Sequence, residues 1–163
     1  MREILFRAKA INRDSGYHRT KYKNGDWVYG LISRPYKEKF PMLPMEFTNE
    51  NGVSGIEVDY KTVGQYTGVT DKNGKKIFEG DIVKVTYTEK RQYQGVAYDD
   101  KHSCVEEIIY SEESACFMLK ITLEDIPMYR PLHNFENLAM IESVEVIGNI
   151  HDNPELLKEL QNG

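Results

Sequence analysis

Between Gln65 and Val85 the chain reads Gln-Tyr-Thr-Gly-Val-Thr-Asp-Lys-Asn-Gly-Lys-Lys-Ile-Phe-Glu-Gly-Asp-Ile-Val-Lys-Val, and this run constrains the fold more than any other. Val69 and Ile77-Phe78 flank a polar reversal at Asp71-Lys72-Asn73-Gly74. Asn-Gly is a pair that tolerates positive φ at both central positions of a type I′ hairpin turn. Glu79-Gly80-Asp81 turns the chain a second time, and after it Val83, Val85 and Tyr87 alternate with Lys84 and Thr86, with Ile82 the exception. Period-two alternation marks a half-buried strand, and reversals this close together predict short strands joined by tight turns in a small barrel or roll.

The rest of the chain follows the same pattern. Ile4, Phe6 and Ala8 alternate with Leu5, Arg7 and Lys9 in an opening strand, and Asn24-Gly25 predicts another tight turn. Trp27-Val28-Tyr29-Gly30-Leu31-Ile32 is an apolar run of strand length, closed downstream by Arg34-Pro35. From there to Gly55, prolines, asparagines and glycines interrupt any period, so residues 34–55 read as a long loop with short extended pieces. Ile56, Val58 and Tyr60 alternate with charged residues, and Gly95–Tyr98, Ile108–Tyr110, Cys116–Ile121 and Val144–Ile150 are further strand candidates. At the end, Asp152 or Asn153 suits a helix cap, Pro154 the first helical position, and Leu156, Leu157 and Leu160 one face of a short helix. Eleven tyrosines agree with a chain dominated by strands.

Several of these segments together resemble the YopX family of phage and prophage proteins. They are the opening Met1–Ala8, the block from Gln65-Tyr66-Thr67-Gly68 through Asp71–Lys75 to Glu79-Gly80-Asp81-Ile82-Val83, and the closing Val146–Ile150 with Asn153-Pro154-Glu155-Leu156-Leu157. The resemblance implies a mainly β fold of SH3-like barrel type, carried by phages and integrated prophages, with no established activity. On this reading the chain is one domain over 1–163. It has an N-terminal β extension at 1–64, an SH3-like barrel at 65–150 and a C-terminal helix at 151–163. Gly68, Asn73, Gly74, Gly80, Asp81, Val83, Gly148 and Pro154 carry over as positions that shape the backbone rather than as reactive groups.

Reaction chemistry is hard to assemble from what remains. His18, His102, His133 and His151 are scattered without a partner at metal-ligand spacing, and two cysteines, Cys104 and Cys116, are too few for a zinc cluster and are expected as free thiols. The pairs Asp99-Asp100, Glu106-Glu107 and Glu112-Glu113 read as solvated turns, since neighbours on a strand point to opposite faces. His102, Ser103 and Cys104 are adjacent, and adjacency in an extended chain does not bring side chains together. Asn73-Gly74-Lys75-Lys76 lacks the glycine-bounded loop of a phosphate site. The expectation is a protein that is not an enzyme and takes no cofactor or metal.

Charge is unevenly distributed. Residues 1–45 hold ten Lys and Arg against four Asp and Glu, a net of +6, and the remainder holds eleven against twenty-two, a net of −11. Such halves attract one another within a chain or between copies. The expected partner is accordingly a second copy, as a homo-oligomer, or an unidentified phage or host protein. The alternative is nucleic acid, held by Arg13, Arg19, Lys21 and Lys23, which interleave with Tyr17 and Tyr22. The chain has no apolar stretch of membrane-spanning length and no secretory apolar region near Met1, so a cytoplasmic location without membrane contact is expected.

Overall fold

The computed structural model describes residues 3–11, 22–37, 45–123, 126–132 and 141–158. Eleven strands occur among them: β1 (Phe6–Lys9), β2 (Trp27–Arg34), β3 (Met45–Asn49), β4 (Ile56–Val58), β5 (Gly64–Thr70), β6 (Lys76–Phe78), β7 (Asp81–Tyr93), β8 (Val96–Ser111), β9 (Cys116–Leu123), β10 (Ile126–Pro131) and β11 (Ile141–Asn149). The protein is mainly β, as the alternation predicts. The chain divides into two units between Gly68 and Val69, inside β5.

In the first unit the strands run in the order β4-β3-β2-β1-β5, all antiparallel where paired. The core forms on one face, from Ala8, Val28, Phe47, Ile56 and Val58, joined by Ala10. A bridge between Ala10 and Val58, with Asp59 N–H donating to Lys9 O at 2.9 Å, brings β4 back to the end of β1. Strand β3 lies in the segment expected to be a long loop. Its Phe47 is fully buried against β2 and β4, and this non-local pairing, invisible in a local period, is what makes Met45–Asn49 a strand. Asn49 then organises the reversal into β4, its Oδ1 accepting from Asn51 N–H at 3.0 Å and Val53 N–H at 2.9 Å.

The second unit is a sheet in the order β10-β9-β8-β7-β11 over a core of Ile77, Val83, Val85, Ile108, Phe117, Leu119, Leu132 and Val144. The expected SH3-like barrel is not closed. Closure requires the outer strands to pair with each other, whereas β10 and β11 lie at opposite edges of an open sheet. Both edges carry features that discourage further pairing. Pro127 and Pro131 sit in β10, where an edge tolerates a missing N–H, and the β11–β7 register shifts at Glu142 and at Ile147.

Of the expected C-terminal helix, only residues up to 158 are described. Pro154 opens a single 3-10 turn, Pro154–Leu157, and the Asn153 side chain makes no capping bond; Leu160 lies outside the described residues. A turn of this kind has no long apolar face to bury, so the N–H groups close locally, Leu156 on Asn153 O and Lys158 on Glu155 O. Neither Asn24-Gly25 nor Asn73-Gly74 forms the expected type I′ turn, because only the glycine of each pair has positive φ, 89° and 80°. That geometry occurs instead at Gln94-Gly95, with φ of 49° and 81°.

Candidate functional site

Most of the residues that the sequence singles out lie at backbone junctions of the second unit. Between β5 and β6, buried Asp71 accepts through Oδ1 from Asn73 N–H at 2.8 Å and Lys75 N–H at 2.9 Å. Its Oδ2 accepts from Val146 N–H of β11 at 3.1 Å, and Lys72 N–H donates to Val144 O at 2.9 Å. Burial pushes this carboxyl up, but the Val146, Lys75 and Asn73 amides and the Lys75 ammonium outweigh it and hold Asp71 below the usual aspartate value. Gly74 N–H closes the turn on Asp71 O at 2.9 Å.

The next junction works the same way. Gly80, at φ 77°, donates its N–H to Ile108 O at 2.8 Å and accepts from Ile150 N–H at 2.9 Å, while buried Asp81 accepts from Phe78 N–H at 2.7 Å. Val83 is in the core. A Cβ on Gly148 would stand 2.8 Å from both Asn153 Oδ1 and Leu156 Cδ1, so a larger residue here forces those side chains to move. Gly68 lies in β5 with φ 93°. These positions hold backbone in place, and their arrangement presents no reacting pair.

The other sequence candidates separate. Arg13, Arg19 and Lys21 lie outside the described residues; Lys23 is exposed, its N–H donating to Asp26 Oδ2 at 2.7 Å. His18 and His133 are likewise outside, and Cys104 and Cys116 are not joined by a disulfide. The acidic pairs 99–100 and 106–107 lie within β8 rather than in turns, and Glu106 is buried, accepting from Cys104 Sγ at 2.8 Å. Among the described residues no three His, Cys, Asp or Glu side chains gather where they would hold a metal, and no helix is long and apolar enough to cross a membrane.

What sequence reasoning missed is a ribbon. Strands β7 and β8 pair without a register break from Ile82↔Glu107 to Tyr93↔Val96, whereas β11 accompanies β7 only as far as Tyr87 and β9 joins β8 only from Glu107. Thr88–Tyr93 and Val96–Lys101 therefore form a two-stranded extension, about 20 Å at roughly 3.4 Å per residue, with no third strand paired to it among the described residues. Strict alternation fixes its faces. Val83 and Val85 face the core, so by register positions 87, 89, 91 and 93 (Tyr87, Glu89, Arg91 and Tyr93) share their side, together with the cross-strand partners His102, Asp100, Tyr98 and Val96. Gln92, Lys90, Thr88, Ala97, Asp99 and Lys101 take the other side.

The core-facing side of the sheet thus continues into the open. Tyr93 and Val96 are each 68% exposed and Tyr98 46%. Around them, Arg91 Nε lies 3.2 Å and His102 Nε2 3.1 Å from Asp100 Oδ2, and the Tyr87 and His102 rings stack at 5.4 Å. The base of the ribbon is fastened by Glu142, at the β11 irregularity, which accepts from Thr88 Oγ1 and pairs with Lys101 Nζ at 2.5 Å. Those two bonds, Lys101 first, hold the Glu142 carboxyl below its usual value.

In the first unit a second surface stands out. Register places Arg7 opposite Tyr29 and Lys9 opposite Trp27 on one face of the sheet, with the guanidinium of buried Arg7 4.8 Å and the Lys9 ammonium 5.6 Å from the Trp27 ring. Tyr29 and Leu31 on that face are exposed.

Fold and surface define a mainly β protein of two antiparallel sheets whose distinguishing element is a two-stranded ribbon with Tyr93, Val96 and Tyr98 exposed on one side. The chain belongs to the YopX family: the family model described as YopX protein matches residues 32–158. It is similar to the solved structure of protein EF1440 from Enterococcus faecalis, at 24% identity and a TM-score of 0.47, over 95% of this chain and 98% of that one. A comparison with curated proteins found no match.

Proposed function

We propose that this is a non-catalytic accessory protein of a phage or prophage, working in the bacterial cytoplasm by binding protein through the β7–β8 ribbon. The observation that carries this reading is the exposure of Tyr93, Val96 and Tyr98 on the same side of the sheet that buries Val83 and Val85. A two-stranded ribbon is marginal by itself in water, and aromatic side chains on a rigid strand pair supply contact area at little cost in conformational freedom. Membership of the YopX family accords with an accessory role.

The test is a variant in which residues 90–99 are replaced by an Asn-Gly turn joining Glu89 to Asp100, compared with the unaltered chain as bait in induced host cells. Association that depends on the ribbon is expected; an identical set of bound proteins for both chains, with both of them monomeric, refutes it.

A second reading is favoured by one observation, the Trp27 ring with the Lys9 ammonium 5.6 Å from it beside exposed Tyr29. This is a surface of the kind on which unpaired nucleic-acid bases stack. Filter binding across a salt series tests it. Retention of single strands that weakens steeply with salt supports it, and no retention at low salt removes it.

A further inference from the structure

We infer that the turn at residues 71–75 is a charge-held cover on the outer edge of β11, and that it opens in acid while the strand itself stays in the sheet. The two edges of the second sheet are guarded differently. In β10, Pro127 and Pro131 lack the N–H that a further strand would need. Strand β11 holds no proline, and the turn lies along it instead. Lys72 N–H donates to Val144 O at 2.9 Å, and Val146 N–H donates to Asp71 Oδ2 at 3.1 Å. The N–H and C=O of one strand residue point to the same edge and successive residues alternate, so Val144 and Val146 face the turn while Glu145, opposite Lys84, faces β7.

One buried carboxylate holds the cover in two directions. Asp71 Oδ1 accepts from Asn73 and Lys75 within the turn, and Oδ2 accepts from β11. A proton on this group therefore weakens the turn and its grip on β11 together. The Lys75 ammonium favours the anion. Glu145 opposes it, and is itself paired with Lys72 Nζ at 2.6 Å and stands across from Lys84. That outer pair is exposed and screened by solvent, so Asp71 is the group that decides. Its folded value lies below the ordinary one, so the cover is complete at neutral pH and is lost as pH falls below about 4. The β11–β7 ladder runs backbone to backbone and Val144 is in the core, so neither needs this anion.

Residue-resolved amide exchange on the purified full chain, corrected for the intrinsic effect of pH, separates the two edges. Between pH 6 and about pH 3.5, protection at Asn73, Lys75 and Val146 should fall by about tenfold or more, while Glu145, on the other edge of the same strand, keeps its protection. D71N should show the same pattern at pH 7. K75Q removes the facing ammonium and should move the loss at Val146 to higher pH. Circular dichroism taken alongside confines the comparison to conditions in which each chain is folded, and the pH series on the unaltered chain decides even where a variant fails to fold.

Loss of protection at Val146 and Glu145 together overturns the inference, because the edge then opens only when the strand leaves the sheet. Val146 protection that stays constant down to the pH of unfolding overturns it as well.

Discussion

Asp71 provides the sharpest quantitative test of how this fold is held. Its carboxylate receives three backbone N–H groups, two from its own turn and one from β11, and is only 7% exposed. A hydrogen bond to a charged group contributes roughly 1.5–3 kcal/mol, so three set a ceiling of about 9 kcal/mol. Bonds that share one acceptor are not additive and the turn relaxes, so Asp71→Ala should cost about 3–5 kcal/mol. At roughly 2–4 °C per kcal/mol for a chain of this size, the second unit should melt about 6–20 °C lower.

Asp71→Asn separates shape from charge. It keeps an oxygen for Asn73 and Lys75 but turns an NH2 donor on the Val146 N–H, and should cost about 1.5–3 kcal/mol at neutral pH. The folded protein holds Asp71 below its ordinary value, so the unfolded chain takes up the proton first as pH falls. The contribution is therefore complete above the unfolded pKa and disappears as pH falls through the lower, folded one. Urea unfolding followed by far-ultraviolet circular dichroism should show a constant gap between the unaltered protein and the Asp71→Asn variant above about pH 5, narrowing below about pH 4. A gap independent of pH, or no gap at neutrality, refutes the assignment of Asp71 as the anionic clasp between turn and β11.

Other expectations are more local. Gly30→Ala would put a Cβ 2.1 Å from Thr48 O, so the β2–β3 pair must part, lowering the stability of the first unit by about 2–4 kcal/mol in chemical unfolding. Gln94→Asn, at φ 49°, relieves strain in the ribbon turn and should slow amide exchange from Lys90 to Asp99 without shifting the melting of the first unit. Glu142→Gln loosens the fastening to Thr88 and Lys101 and should speed exchange in the same segment while circular dichroism stays unchanged.

The turns around β6 were legible because their signals are local: Gly74 and Gly80 are where positive φ is required, and Val83 and Val85 announce the buried side within a few residues. Three things were not legible, each for a non-local reason. Strand β3 depends on Phe47 meeting β2 and β4 across a gap in sequence, and β10 carries prolines that only an edge position makes acceptable. Barrel closure is decided by which strands become edges, which no periodicity states. The ribbon was hidden because Asp99-Asp100 reads as a solvated turn, whereas these residues are cross-strand partners in the ribbon, Asp99 with Lys90 and Asp100 with Glu89. Asp71 could have been suspected from its place ahead of Asn-Gly, as an Asx residue closing its own turn.

The account turns on whether the Tyr93 side of the β7–β8 ribbon is where this protein meets its partner. Tyrosine-selective labelling read by mass spectrometry, carried out as lysate of induced host cells is added, addresses this directly, because Tyr29 and Tyr129 are exposed elsewhere and serve as internal controls. Protection that grows at Tyr93 and Tyr98 while Tyr29 and Tyr129 stay equally reactive is the predicted result; labelling of Tyr93 and Tyr98 that never changes, or protection confined to Tyr29, would contradict it.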